Sequence, residues 1–379
     1  MKKLFIVGST GHLGRQALDV VEKLGKDFKV VGITGFHNLN LLYEQFTLFK
    51  PQYVGVSKDI FSDIRNKLQG AVVFELSDLD SLIMDASPDL TLFLSSGITS
   101  LSAIYKLISN GFMCAIANKE AIIAGAEILF NQDTRRFVIP VDSEPSGIFQ
   151  CLMGRDSSFI RELFITASGG PFRDRKQSEL EDVKVEDALK HPSWKMGRKV
   201  TIDSATLVNK AFEVIESHFL FDVPYSHINV LLHRESIVHA LVECQDGTLN
   251  AVMSMPDMRL PIQFAITYPE RVNTSLPRLN LSQIGVLHFE DIDPERFPSF
   301  STALAFGRQG GSFLPYLVGI DEVLVNAFLK EEIKFTDINS ILMYTLSSFD
   351  KTEVKSIEDV EELYNSAIIK ATQILRRRL

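Results

Sequence analysis

Two carboxylates stand two positions apart in Val141-Asp142-Ser143-Glu144. In an extended segment residues i and i+2 point to one side, so both can face one hard cation, Mg2+ or Mn2+. Pro145 suits a first helical position and acids suit that end of a helix dipole, so a capping cluster explains the same residues. A second polar run, Ile202-Asp203-Ser204-Ala205-Thr206-Leu207-Val208-Asn209-Lys210-Ala211-Phe212-Glu213, reads as a helix capped by Asp203 or Ser204 and running to about Leu220. Asn209, Lys210 and Glu213 then share a face. A cation, an amide and a hydroxyl there can hold a phosphate while Glu213 reaches a metal. A solvent-exposed Lys210–Glu213 pair is the plainer alternative.

Ser168-Gly169-Gly170 follows an apolar run and either presents N–H groups to an anion or ends a strand in an ordinary turn. His191-Pro192-Ser193-Trp194-Lys195-Met196-Gly197 holds the chain's one tryptophan. It reads as a loop that closes over a ligand, or as one anchored to the core. In Asn118-Lys119-Glu120 the lysine can bind a substrate oxygen or move a proton, or the three can simply open a helix.

Gly8-Ser9-Thr10-Gly11-His12-Leu13-Gly14 comes directly after the apolar run Leu4–Val7. Glycines let a backbone approach a pyrophosphate, and the helix that follows offers free N–H groups. The next apolar run ends in Thr34-Gly35-Phe36-His37-Asn38, with no acid before Glu44. An acid there would hold a ribose 2′-hydroxyl and repel a 2′-phosphate, so its absence favours NADP. His37 and Asn38 stand where a lysine or arginine would attract that phosphate.

The elements that must carry these groups are legible from periodicity. From residue 1 to about 140, short apolar runs alternate with amphipathic ones, which predicts a Rossmann-like, doubly wound parallel sheet. Between 143 and 270 the runs Phe159–Ala167, Ile228–His233, Ser236–Val242 and Thr248–Met253 predict strands of an α+β domain, with a hairpin at Asp246-Gly247. Residues 271–298, rich in Pro, Asn and Ser, read as a linker, and 299–379 as a small C-terminal α-helical bundle. The expected division is therefore 1–142 for the nucleotide, 143–270 for catalysis and dimerisation, and 299–379 for the helices.

The chain has 379 residues and a net charge of −9, which argues against a general nucleic-acid or anionic-membrane binder. Cys114, Cys151 and Cys244 are too far apart for a zinc ribbon or a disulfide framework and read as reduced thiols. The apolar start stops at Gly8, short of a signal peptide, and no run is long enough to span a membrane. A cytoplasmic location follows, or an organelle stroma after loss of a transit peptide.

Taken together, GSTGHLG, ANKEA, PVDSE, TASGGPFRD, HPSWKMGRKVTIDSATLVNKAFEVIE and PDMRLPI resemble the 1-deoxy-D-xylulose 5-phosphate reductoisomerase family, in that family's order. The resemblance implies an NADPH- and divalent-metal-dependent enzyme that rearranges 1-deoxy-D-xylulose 5-phosphate and reduces it to 2-C-methyl-D-erythritol 4-phosphate. It implies metal ligation by Asp142, Glu144 and Glu213. It implies substrate binding by Ser143, Ser168, His191, Ser204, Asn209 and Lys210, with Lys119 at the substrate oxygens. His191, Trp194 and Met196 match the closing loop. The cofactor set is Gly8, Ser9, Thr10, Gly11, His12, Leu13, Gly35, His37, Asn38, Asn118, Lys119, Glu120 and Gly197. A homodimer is also implied, with residues 228–253 as candidates for its interface.

The sequence departs from the family at His12, Ala121, Pro145, Gly147 and Leu317–Glu322. Two other readings therefore stand beside the reductoisomerase. One is a paralogue that reduces or isomerises another sugar phosphate with NADP. The other is a non-catalytic regulator that binds NADP or a sugar phosphate.

Overall fold

A computed structural model describes residues 1–379 apart from 66, 132, 154–156, 195 and 379. The chain forms two units, one of residues 1–121, 131–146 and 258–276, the other of 122–130, 147–257 and 277–379.

The first unit is built on β1 (Lys2–Val7), β2 (Phe28–Gly35), β3 (Tyr53–Val56), β4 (Val72–Glu75), β5 (Leu90–Phe93), β6 (Cys114–Ile116) and β7 (Val138–Pro140). They form one parallel sheet in the order β4-β3-β2-β1-β5-β6-β7. The chain winds outward from β1 to β4, crosses back, and winds out again from β5. The reversal between β1 and β5 opens a crevice at the carboxyl ends of the strands. Continuous apolar runs make these strands because both faces are covered, and Leu4, Phe5 and Ile6 have no exposed surface. Gly32 makes room for one of them: a Cβ there would stand 2.2 Å from the Phe5 ring. Residues 258–276 return to this unit. Their helix Arg259–Thr267 packs on helix His12–Leu24, with Arg259 3.2 Å from Asp19.

The second unit holds β8 (Ile160–Ala167), β9 (Ile228–Leu232), β10 (Val238–Cys244), β11 (Leu249–Met253) and β12 (Glu290–Asp291). Their order is β11-β10-β8-β9-β12; β8 and β9 run parallel and the other pairs antiparallel. The hairpin forms at Asp246-Gly247, where Gly247 has φ +82°. The segment read as a linker contributes β12 to this sheet. Four helices follow: Pro298–Gly307, Phe313–Leu329, Asp337–Leu346 and Ile357–Arg378.

The helix expected from Asp203 or Ser204 to about Leu220 is two helices, Arg198–Thr206 and Val208–Phe221. Leu207 sits between them at φ +58°. The Thr206 hydroxyl causes the break chemically: it donates back to the Ile202 carbonyl (3.2 Å) and accepts the Val208 N–H (3.3 Å). Asp203 and Ser204 are therefore interior residues of the first helix rather than caps. Among the described residues, no helix is long and apolar enough to cross a membrane.

Candidate active site

In the first unit the chemically capable residues gather at the carboxyl ends of the strands. Gly8 follows β1 with φ +86°, and a Cβ on it would stand 2.8 Å from the Ser95 backbone nitrogen just past β5. Thr34, at the end of β2, pins this loop: its Oγ1 accepts from Gly8 N (2.9 Å) and its carbonyl from Ser9 N (2.9 Å). Gln45 completes the clamp, accepting from Ser9 Oγ (2.7 Å) and donating to the Ser9 carbonyl (2.9 Å). Helix His12–Leu24 starts from Gly11 without a side-chain cap, so its first N–H groups stay available. Gly14 is required by proximity, since a Cβ there would lie 2.2 Å from the Gly8 carbonyl oxygen. Gly35 lies under Thr10, whose methyl would be 3.0 Å from a Cβ. His12 has its ring nitrogen 3.0 Å from Gln16 Nε2, and Leu13 beside it is half-buried. This cradle fits a pyrophosphate.

His37 is exposed against Phe36, ring centroids 5.9 Å apart. Asn38 caps helix Leu39–Phe49 through Leu41 N, so its carbonyl oxygen is committed to the fold. Exposed Asp59 stands within electrostatic reach of His37; the Ser57 hydroxyl above all, and His37 further, hold its carboxyl below the usual range.

Past β6, Asn118 opens helix Lys119–Ala124 and accepts from Ala121 N (3.0 Å). Its Nδ2 is buried with no hydrogen-bond partner among the described residues, a donor held ready at the strand end. Lys119 is 7% exposed and pairs with Asp142 at 2.6 Å; Glu120 is buried beside it. Past β7, Glu144 is already in the first turn of helix Ser143–Leu152, so the two acids are not on one extended segment. They are brought to the same end of the sheet by a strand-to-helix turn. Asp142 Oδ1 accepts from Ser143 N (3.1 Å), and Ser143 Oγ donates to Glu144 Oε2 (2.5 Å). Paired oxygen donors of this kind suit a hard cation.

In the second unit a histidine organises two serines. Ser168 follows β8, and Ser204 lies in helix Arg198–Thr206. His191 Nε2 is 3.0 Å from Ser168 Oγ and 3.1 Å from Ser204 Oγ. Its Nδ1 accepts the backbone N–H groups of Ser193 (3.2 Å) and Trp194 (2.9 Å). The ring is therefore a neutral tautomer with its proton on Nε2. Burial first, and the Arg173 charge second, push its pKa down to about 4. Ser168 Oγ also accepts from Gly170 N (3.2 Å), which leaves its own proton for a ligand. Gly169 and Gly170 both adopt positive φ, and a Cβ on Gly170 would stand 2.6 Å from the Ser204 carbonyl oxygen.

Lys210 and Glu213 are 4% and 1% exposed, which excludes a solvent-exposed pair. Lys210 Nζ and Asn209 Nδ2 each donate to one oxygen of Glu213. Trp194 meets His239 edge-on at 6.0 Å, Met196 is half-buried, and Gly197 caps helix Arg198–Thr206. Lys195 lies outside the described residues.

Sequence reasoning missed four supporting side chains. Thr34 and Gln45 hold the glycine loop. Arg173 donates to the carbonyls of Ser168 (3.1 Å) and Arg234 (3.2 Å). His239 is buried, its pKa pushed down to about 4 by that burial, and it bonds Ser254 (2.8 Å). Arg173 lay inside a quoted motif, and its position two residues past a Gly-Gly-Pro turn was the available signal. One of the departures, Gly147, has a local explanation. Gly147 brings the chain against β10, where a Cβ would stand 3.1 Å from Ala240 Cβ. In the departing Leu317–Glu322 stretch, Asp321 pairs with Lys199 (2.6 Å), which also holds Asp203 (2.7 Å).

A doubly wound sheet with a glycine cradle at its switch point and an acid–lysine cluster past its last strands defines a nucleotide-dependent α/β enzyme. Residues 4–126 match the family model described as 1-deoxy-D-xylulose 5-phosphate reductoisomerase, and 138–221 and 253–368 match its two C-terminal domain models. The 1-deoxy-D-xylulose 5-phosphate reductoisomerase 1 of Bacillus cereus is 41% identical over 384 aligned residues, covering 100% of both chains. The enzyme of Thermodesulfovibrio yellowstonii is also 41% identical, covering 96% of each. The Zymomonas mobilis enzyme, solved in complex with NADPH, superposes with TM-score 0.90 at 31% identity and 99% coverage of both chains. A reductoisomerase solved with NADPH, fosmidomycin and magnesium gives TM-score 0.90 at 29% identity, covering 99% of this chain and 98% of that one. This chain belongs to the 1-deoxy-D-xylulose 5-phosphate reductoisomerase family.

Proposed function

We propose that the chain converts 1-deoxy-D-xylulose 5-phosphate to 2-C-methyl-D-erythritol 4-phosphate with NADPH and Mg2+ or Mn2+. The observation that carries this is a match to curated reductoisomerases over the entire chain. The paralogue and regulator readings are not favoured, since the acids, the lysines and the serines of the site all have the required types.

NADPH, when bound, supplies hydride, and the cation polarises the substrate's oxygens. The cradle Gly8–Leu13 receives the dinucleotide, with Gly35, His37 and Asn38 at its ribose end and Asn118, Glu120 and Gly197 towards the nicotinamide. Asp142, Glu144 and Glu213 would hold the cation, as the family resemblance implies; three carboxylates are a donor set that suits it. Asn209 and Lys210 orient Glu213, each donating to one of its oxygens. Ser168 and Ser204, set by neutral His191, donate to the substrate phosphate with Asn209 and Lys210. Lys119 neutralises Asp142 and stands ready to give a proton to a developing alkoxide, while Ser143 binds a substrate hydroxyl. Trp194 and Met196 cover the substrate and exclude water. The division at 142 and near 271–298 is the functional one we propose, in a cytoplasmic homodimer joined through residues 228–253.

The test is direct. Purified protein with NADPH, Mg2+ or Mn2+ and 1-deoxy-D-xylulose 5-phosphate must oxidise NADPH and yield the branched product. Retained NADPH and metal binding without turnover would overturn the reading.

A further inference from the structure

The second unit contains a small cavity of about 30 Å3, open to solvent at its mouth, that the proposed chemistry does not use. Phe172, Leu180, Phe297 and Phe335 form its apolar wall. Ala205 and Pro298 add to that wall, and the polar lining is Arg175 and Arg296, with the hydroxyls and amide of Thr206, Ser299, Thr336 and Asn339. No carboxylate lines it among the described residues.

Several of its donors lack acceptors. Ser299 is 5% exposed, lines the cavity, and its hydroxyl has no hydrogen-bond partner among the described residues. It sits in the first turn of helix Pro298–Gly307, which has no side-chain cap. The backbone N–H groups of Ser299 and Phe300 likewise have no acceptor among the described residues. Asn339 accepts from Thr302 through Oδ1 (2.9 Å), which leaves its Nδ2 free for a ligand. Thr336 makes no cap bond for helix Asp337–Leu346. A hydroxyl that opens onto the cavity and donates to no protein group, in a lining that carries two guanidiniums, is explained by an anion that accepts from them together.

We propose that this cavity is a second anion site, taking the phosphate group of a small phosphorylated metabolite or free phosphate. Arg175 and Arg296 supply charge, and Ser299, Asn339 and the helix N-terminus supply directional donors. The site is separate from the Ser168–His191–Ser204 cluster but wired to it. Arg296 donates to the Arg173 carbonyl, and Arg173 donates to the Ser168 carbonyl.

Calorimetric titration of the full chain with inorganic phosphate tests this. The expected result is two bound phosphates. Asn339→Asp, which places a carboxylate in the cavity, and Arg175→Gln, at an exposed position, should each weaken one of the two at least tenfold and spare the other. Ser168→Ala should weaken the other one only. A glycerol phosphate titration should repeat the pattern if a metabolite is the ligand; phosphate binding alone assigns the site to the free ion. The proposal is overturned if the unaltered chain binds no phosphate beyond the one that Ser168→Ala removes, or if Asn339→Asp and Arg175→Gln both keep wild-type binding.

Discussion

His191 reaches Ser168 across the loop between them and holds its hydroxyl at 3.0 Å, with the ring proton on the shared side. The serine accepts from the ring, so the serine proton is the one offered to a phosphate. His191→Phe keeps an aromatic ring but removes this orientation. Losing one oriented donor to a charged group costs about 1.5–3 kcal/mol, so KM for the sugar phosphate should rise roughly tenfold to a hundredfold. The kcat should fall far less, because the phosphate lies away from the reacting carbons. Steady-state kinetics decide it: an unchanged KM with a collapsed kcat would show that His191 acts on the chemistry instead.

Lys119 and Asp142 form a nearly dry pair, with side chains 8% and 14% exposed. Lys119→Met leaves the acid without its cation. Breaking a buried pair typically costs about 3–5 kcal/mol, and slight exposure of Asp142 puts this one near the low end. Urea unfolding in EDTA should show the loss. Added Mg2+ should recover part of it, since a divalent ion can replace the missing charge. If Mg2+ stabilises the variant no more than the unaltered protein, Asp142 is not a ligand.

The sheet was readable because its strands are buried on both faces, which leaves unbroken apolar runs such as Leu4–Val7 bounded by Gly8. The cradle was readable because Gly8 and Gly14 answer a local steric demand that no other residue meets. What pattern could not give was the break at Leu207, since leucine carries no signal for positive φ and Thr206 acts through its side chain. The roles of Gln45, Arg173 and His239 were hidden for another reason. Each works through a partner distant in sequence, as Arg173 does with Arg234, 61 residues away. Periodicity reports which face a residue occupies and is silent about what stands opposite.

Acid should destabilise the second unit through two histidines. His191 and His239 are both lowered from 6.5 to about 4, in each case first by burial. Between those values the unfolded chain binds protons that the folded chain refuses. Stability therefore rises with pH across the window and is lost as pH falls from 6.5 towards 4. The comparison is between the unaltered protein and His239→Gln, followed by urea midpoint at both ends of the window. The variant should start less stable and lose less on acidification. Equal losses in both would mean that His239 titrates normally in the fold.

Two glycines separate a binding role from a conformational one. Gly14 lies within helix His12–Leu24, where alanine is intrinsically favoured, yet its Cβ would meet the Gly8 oxygen at 2.2 Å and Ser9 Cα at 2.5 Å. Both obstacles are backbone, so the loop itself must move. Gly25, at the far end of the same helix, has φ +76° and open space around it. Gly25→Ala should cost about 1–3 kcal/mol of stability, because φ +76° with ψ −144° is backbone essentially confined to glycine, and should leave NADPH affinity unchanged. Gly14→Ala should weaken NADPH at least about tenfold, because the displaced loop can no longer present its N–H groups to the pyrophosphate. Fluorescence titration of NADPH into both variants reads the difference. Equal affinities would place the cofactor elsewhere than the Gly8–Gly14 loop.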